Sequence, residues 1–149
     1  MLQSAIFDWF RSSFAKPALT FALRVTRKPI HHILTCQSGG FVASGPPSRD
    51  KSPQPFLPFS LEPLSDEGFG EVQTPLRIIP PPFFSAFPSS HRLSYTIATS
   101  LSIGDPIFFR PAKAGEIAER FNTYILIDSS QDNIIGTPKT YRGLGLAFF

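Results

Sequence analysis

Cysteine is almost missing: Cys36 is the only one in 149 residues, which excludes an internal disulfide and a zinc site built on several thiolates. No apolar run reaches membrane length. The longest, "IIPPPFFSAF" at residues 78–87, holds three prolines and is about half of the ~20 residues a membrane helix requires, so no membrane partner is expected. The opening "MLQSAIFDWFRSS" lacks a basic leading segment and carries Asp8 within its apolar part, so it does not read as a signal peptide and a cytoplasmic location is expected. The patterns GxSxG, GxGxxG and the phosphate loop are absent too, which removes the commonest hydrolase and nucleotide-binding signatures.

Prolines and phenylalanines are abundant, sixteen of each. Prolines spread from Pro17 to Pro138 interrupt nearly every stretch that could run long as a helix, while so many aromatics oppose global disorder. The compromise is a mainly β domain of short strands and loops, sandwich-like or barrel-like. The length suits one domain. The net charge of +3 is uneven: Arg11, Lys16, Arg24, Arg27, Lys28 and Arg49 meet no acid between residues 9 and 49, whereas the chain from Asp50 onward is net acidic. Scattered cations of this kind are the ordinary pattern of strand edges and loops, and no nucleic-acid partner is expected.

Residues 3–15 space Ile6, Trp9, Phe10 and Phe14 as a short amphipathic helix ended by Pro17. Leu19, Phe21, Leu23 and Val25 alternate with polar neighbours as a half-buried strand that Pro29 closes, after which "IHHILTC" resumes an extended pattern. Six prolines between about 43 and 63 predict an irregular connector, pinned to the core by Phe56, Leu57 and Phe59. Further strands are expected over 70–79, at Leu93, Tyr95 and Ile97, and at Ile107 to Phe109 after a Gly-Asp-Pro turn. About two helical turns over 111–121, weakened by Gly115, lead to strands at "TYILID" and "IIGTPKTYRG".

Two segments concentrate polar chemistry. "SDEGFGEVQT" sets Asp66, Glu67 and Glu71 between flexible glycines, as a loop does where it brings acids or backbone to a ligand, and as a solvated turn does equally. "FFRPAKAGEIAERFN" places Lys113 and Glu116 at i, i+3 and Glu116 and Arg120 at i, i+4, the spacing of a helical ion-pair ladder. His31 and His32 are adjacent, hence on opposite faces of a strand, and His91 stands far along the chain, so no histidine triad is expected. Cys36 reads as a buried apolar residue.

In order, "GGFVASGP", "DEGFGEVQTPL", "GDPIFFRPAKAGEIAERFN" and "TPKTYRGLG" resemble the C-terminal part of the amino-acid deaminase/aldolase proteins related to D-threonine aldolase and D-serine dehydratase. That family consists of alanine racemase-like, fold type III enzymes with an N-terminal β/α barrel, a C-terminal β domain and pyridoxal phosphate (PLP). The resemblance implies that residues 1–16 are the tail of a barrel and 17–149 its single β domain, a fragment that shapes the active-site rim and a homodimer contact. Its partners would be the barrel, a second subunit and a small D-amino-acid substrate. The Schiff-base lysine of such a lyase would sit in the barrel, which needs about 200 residues, so PLP belongs to the parent enzyme and no catalytic residue is expected in this chain. Glu67, Gln73, Arg110, Lys113 and Glu116 are the residues implied at the rim. Pro111 stands where relatives have a metal-ligating histidine, so no divalent metal site is expected; Leu144 and Ser38 depart from an expected glutamate and glycine. The alternative is a free-standing β-rich module that binds a protein partner through its Pro-rich loops, without catalytic activity.

Overall fold

The computed structural model describes residues 18–81 and 89–148; the amphipathic helix expected over 3–15 and most of the Pro-rich loop at 80–90 lie outside them. Alternation does form β1, Phe21–Ile30. Phe21, Leu23 and Val25 point into the core while Ala22 and Arg24 face outward. Pro29 does not end the strand. Only Phe21 to Arg24 pair with the neighbour on one side, so the missing amide of Pro29 falls on an open edge, where it costs no ladder bond. A bulge near Thr26, whose Oγ1 donates to the Thr35 carbonyl at 3.0 Å, bends β1 before it turns through His31 and His32 into β2, Ile33–Gln37. The two histidines therefore form an exposed hairpin turn with their rings edge to face at 4.6 Å, and neither is a strand residue.

The Pro-rich connector is less irregular than its composition implies. It contributes β3, Gln54–Leu57, and β4, Leu61–Pro63, which flank β5, Gln73–Ile78, and β6, Pro106–Arg110, at the two ends of a six-stranded antiparallel sheet ordered β3-β6-β1-β2-β5-β4. Laid flat, that order would separate β3 from β4 by about 24 Å at the usual strand spacing. Three residues join them, a link that spans at most about 14 Å. The sheet must therefore curl, and it is a nearly closed barrel. Pro53, Pro58, Ser60 and Leu61 anchor the connector, whereas Leu57 and Phe59 face solvent instead of pinning it.

The segment read as a strand at Leu93, Tyr95 and Ile97 is a helix, α1, Ser89–Ser100. Its buried stripe is Ser94 and Ala98, four apart and continued by Leu101 just past its end, on small residues that hydropathy reading overlooks. Leu93 and Ile97, which produced the apparent alternation, are exposed. Hydroxyls of Thr96, Thr99 and Ser100 bond back to carbonyls one turn earlier, so this Ser/Thr-rich segment satisfies itself as a helix. Lys28 on β1 donates to the carbonyls of Thr99 and Leu101 at 2.8 Å each and caps its C-terminal end. Gly104, at φ +103°, makes the turn into β6.

One short helix follows, α2, Ala114–Ala118, a single turn rather than two. A separate two-stranded sheet completes the described residues: β7, Leu126–Asp128, and β8, Asn133–Gly136. The core runs through β1, β2, β5 and β6 and ends in an aromatic cluster. There Phe21 stacks on Phe109 at 5.4 Å and meets Phe41 edge-on at 5.0 Å, and Phe69 meets Phe109 at 6.0 Å. Among the described residues no helix is long and apolar enough to cross a membrane.

Candidate functional site

Beside the seam where β3 and β4 approach lies an open cleft of about 940 Å³. The loop from Leu64 to Phe69 forms one wall and Pro47 to Arg49 with Ser52 to Pro55 the other, with Phe59 and Leu61 between them. Its charged lining is Arg49 against Glu62, Asp66 and Glu67. The acid-bearing loop is held by its own backbone: the Gly68 amide donates to the Leu64 carbonyl at 2.8 Å and the Gly70 amide to the Gln73 carbonyl at 3.0 Å. Glu62 is paired outward with Arg77 at 3.5 Å, and Asp66 accepts from the Ser65 hydroxyl at 3.1 Å.

Glu67 and Gln73 come together. The Gln73 side-chain amide donates to the Glu67 carboxylate, and its oxygen accepts from the Arg27 guanidinium. This relay joins residues 46 positions apart, and Arg27 entered it without any signal in the sequence beyond its place in the acid-free first third. Behind it, the Thr74 hydroxyl donates to the Ser38 carbonyl at 2.6 Å, and the Ser38 amide donates to the Val72 carbonyl at 2.7 Å. Ser38 itself sits at φ +63°, a left-handed backbone that glycine adopts without strain. Gly39, at φ +125°, lies so close that an added Cβ would overlap the Thr74 hydroxyl.

The remaining three candidates lie around α2. Arg110 ends β6 half-buried, Pro111 behind it is buried, and Lys113 occupies the N-terminal cap position of α2. Lys113 and Glu116 pair at 3.9 Å. The expected Glu116–Arg120 step of the ladder does not form: α2 ends at Ala118, and Arg120 pairs with Glu119 at 3.3 Å. Tyr141 joins this group unannounced by spacing, donating its hydroxyl to the Gly115 carbonyl at 2.6 Å. Burial, then the charges of Glu119, Tyr124 and Glu116, raise its phenol above the ordinary range. Of the five rim candidates, Glu67 lines the cleft; Gln73, Arg110, Lys113 and Glu116 lie outside its lining.

PLP needs a lysine for its Schiff base, set in a pocket, and a cradle for its phosphate. The cleft is lined by no lysine. Lys28 is engaged by two helix carbonyls, Lys51 is half-buried outside the cleft's lining, Lys113 is half-exposed beside Glu116, and Lys139 is exposed. The described residues therefore do not fit PLP as a resident group, and no step of its chemistry can be assigned to them. Among the described residues, no three His, Cys, Asp or Glu side chains group so as to hold a metal ion. Cys36 is fully buried and its thiol is pushed up to about 12 by that burial, which leaves it neutral and unreactive as a nucleophile.

No protein-family model matches the sequence, and no curated protein matches it. Among solved structures, D-threonine aldolase from Filomicrobium marinum superimposes on 96% of this chain with a TM-score of 0.61 at 15% sequence identity. The matched part is 34% of that enzyme's chain. This chain thus has the fold of a β-rich part that makes up about one third of that enzyme's chain.

Proposed function

We propose that this chain is the C-terminal β domain of a PLP-dependent D-amino-acid deaminase/aldolase, shaping the rim of an active site whose centre lies on a β/α barrel outside these 149 residues. The carrying observation is the asymmetric coverage: nearly all of this chain corresponds to a third of a D-threonine aldolase. In this reading the cofactor and the Schiff-base lysine belong to the barrel, in the cytoplasm, and the domain also contributes to a homodimer contact. Its own residues position and charge the rim. The Arg27–Gln73–Glu67 relay holds the Glu67 carboxylate in one orientation on a glycine-flanked loop. Arg110, Lys113 and Glu116 supply a second charged group at the end of β6, suited to orienting a small zwitterionic substrate.

Two measurements test this reading. PLP added to the purified chain is expected to give no protein-stoichiometric absorbance band fixed by borohydride reduction, and D-threonine and D-serine are expected to be untouched. A reducible adduct with turnover would overturn the assignment of the chemistry to a separate barrel. The genomic sequence upstream of the Met1 codon is expected to encode that barrel in frame; a promoter and an unrelated intergenic region would favour the free-standing interaction module.

A further inference from the structure

The seam beside the cleft leaves the sheet with two ends. β3 is bonded only to β6 and β4 only to β5, and the two share no ladder across the gap. Gln54 and Pro55 of β3 line the cleft, and so do Leu61, Glu62 and Pro63 of β4. It is therefore bounded by two strand edges, the setting in which extended peptides add to a sheet. The lining is biased in its hydrogen-bonding chemistry. Pro47, Pro53, Pro55 and Pro63 bring carbonyls and no amide hydrogen, so an occupant must supply donors. The side chains repeat that bias: Glu62, Asp66 and Glu67 are exposed carboxylates, against the single cation Arg49 among the described lining residues. Arg49 stands on the opposite wall, its carbonyl accepting from the Gln54 side-chain amide at 2.8 Å.

We propose that this cleft takes an extended, basic peptide segment of a partner protein, with an arginine or lysine head at the Asp66–Glu67 loop and its alkyl stem over Phe59 and the proline rings. An extended segment presents every second side chain to one face, and the stems of such residues cover apolar surface while their heads stay at its polar margin. A guanidinium or ammonium is all donor, which matches a lining of carboxylates and donor-less prolines. Three acids against one base make the lining complementary to a cationic occupant and repel an acidic one. Arg49 opposes the same occupant and marks the wall from which its cations are kept. This assignment goes beyond the aldolase reading, because the cleft belongs to the domain with or without a barrel, and its failure would leave that reading standing.

Fluorescence anisotropy on the full chain tests it, with a labelled octapeptide alternating arginine and alanine, its glutamate-for-arginine counterpart, and unlabelled spermine as a competitor. The arginine peptide is expected to bind saturably, and the glutamate peptide to give no binding. Two exposed positions of the lining then push in opposite directions. Asp66→Lys is expected to raise the Kd of the arginine peptide about tenfold, whereas Arg49→Glu is expected to lower it about threefold by removing the opposing charge. A variant that merely disturbed the fold would weaken binding at either position, so the opposite signs separate the two explanations. Spermine, a cation without a peptide frame, is expected to compete at least about tenfold less well than the unlabelled arginine peptide. No binding of the arginine peptide, equal binding of the glutamate peptide, indifference to both substitutions, or equal competition by spermine overturns the proposal.

Discussion

The barrel and the β7–β8 hairpin are both antiparallel β-structure, yet they spend their apolar residues in opposite ways. Strands β1, β2, β5 and β6 bury Val25, Leu34, Leu76, Ile107 and Phe109 completely or nearly so, and each strand has a bonded neighbour on both sides over part of its length. The hairpin carries an equally aliphatic sequence and exposes most of it. The difference teaches that β-propensity decides the extended backbone, whereas burial depends on what lies above the sheet. In the barrel the sheet covers itself by curling; in the hairpin two strands are too few to do so.

Substitutions can sharpen this contrast. The largest effect is expected from Phe109→Ala, which removes a fully buried ring stacked on Phe21 and met edge-on by Phe69. It should cost about 3–5 kcal/mol in chemical denaturation. Gly39→Ala should follow, at roughly 2–4 kcal/mol from the strained φ and the overlap with Thr74; a smaller loss would mean that the Ser38–Thr74 corner is soft. At the joint between body and hairpin, buried Thr140 donates to the Phe121 carbonyl and accepts from the Gly143 amide at 3.1 Å. Thr140→Val should cost about 2 kcal/mol by leaving both groups unsatisfied.

The pH dependence isolates the barrel core. The unfolded Cys36 thiol loses its proton near 9 while the folded one retains it to about 12, so across that window the folded state binds more protons and stability falls as pH rises. By pH 10 the expected loss from this group is about 1.4 kcal/mol, and Cys36→Ala should flatten that part of the profile in thermal unfolding. The smallest effects belong to the exposed surface. Lys113→Gln should change stability by less than about 0.5 kcal/mol, since its ion pair with Glu116 is half-exposed. Ile134→Ala, measured where the chain is monomeric, should likewise stay within about 0.5 kcal/mol. A cost near that of Phe109→Ala would erase the distinction between the two regions.

Much of the barrel was legible in the sequence. Alternation placed β1, the Gly-Asp-Pro turn placed the entry to β6, and Gln73–Ile78 fell within its expected strand. Helix α1 was not legible, because its buried stripe uses Ser94 and Ala98 while its large aliphatic residues face water. Nor were the short strands β3 and β4: their prolines suggest disorder of pattern, but each strand needs only an edge to bond with. At the candidate site, Lys113 and Glu116 were paired by helical spacing as expected. Arg27 and Tyr141 were not, since the contacts that recruit them span 46 and 26 positions.

The sequence by itself determined that the chain builds short strands, that Cys36 has no cysteine to pair with, and that polar residues gather in the Glu67 loop and around Lys113. Those properties follow from local periodicity, composition and proline geometry, which need no partner elsewhere in the chain. Only the tertiary structure decided that the connector closes the sheet into a barrel, that residues 89–100 form a helix, and that Glu67 is held through Gln73 by a distant arginine. Each of these depends on a surface assembled from remote segments: a neighbouring edge, a shallow groove for small side chains, or a cross-sheet hydrogen bond.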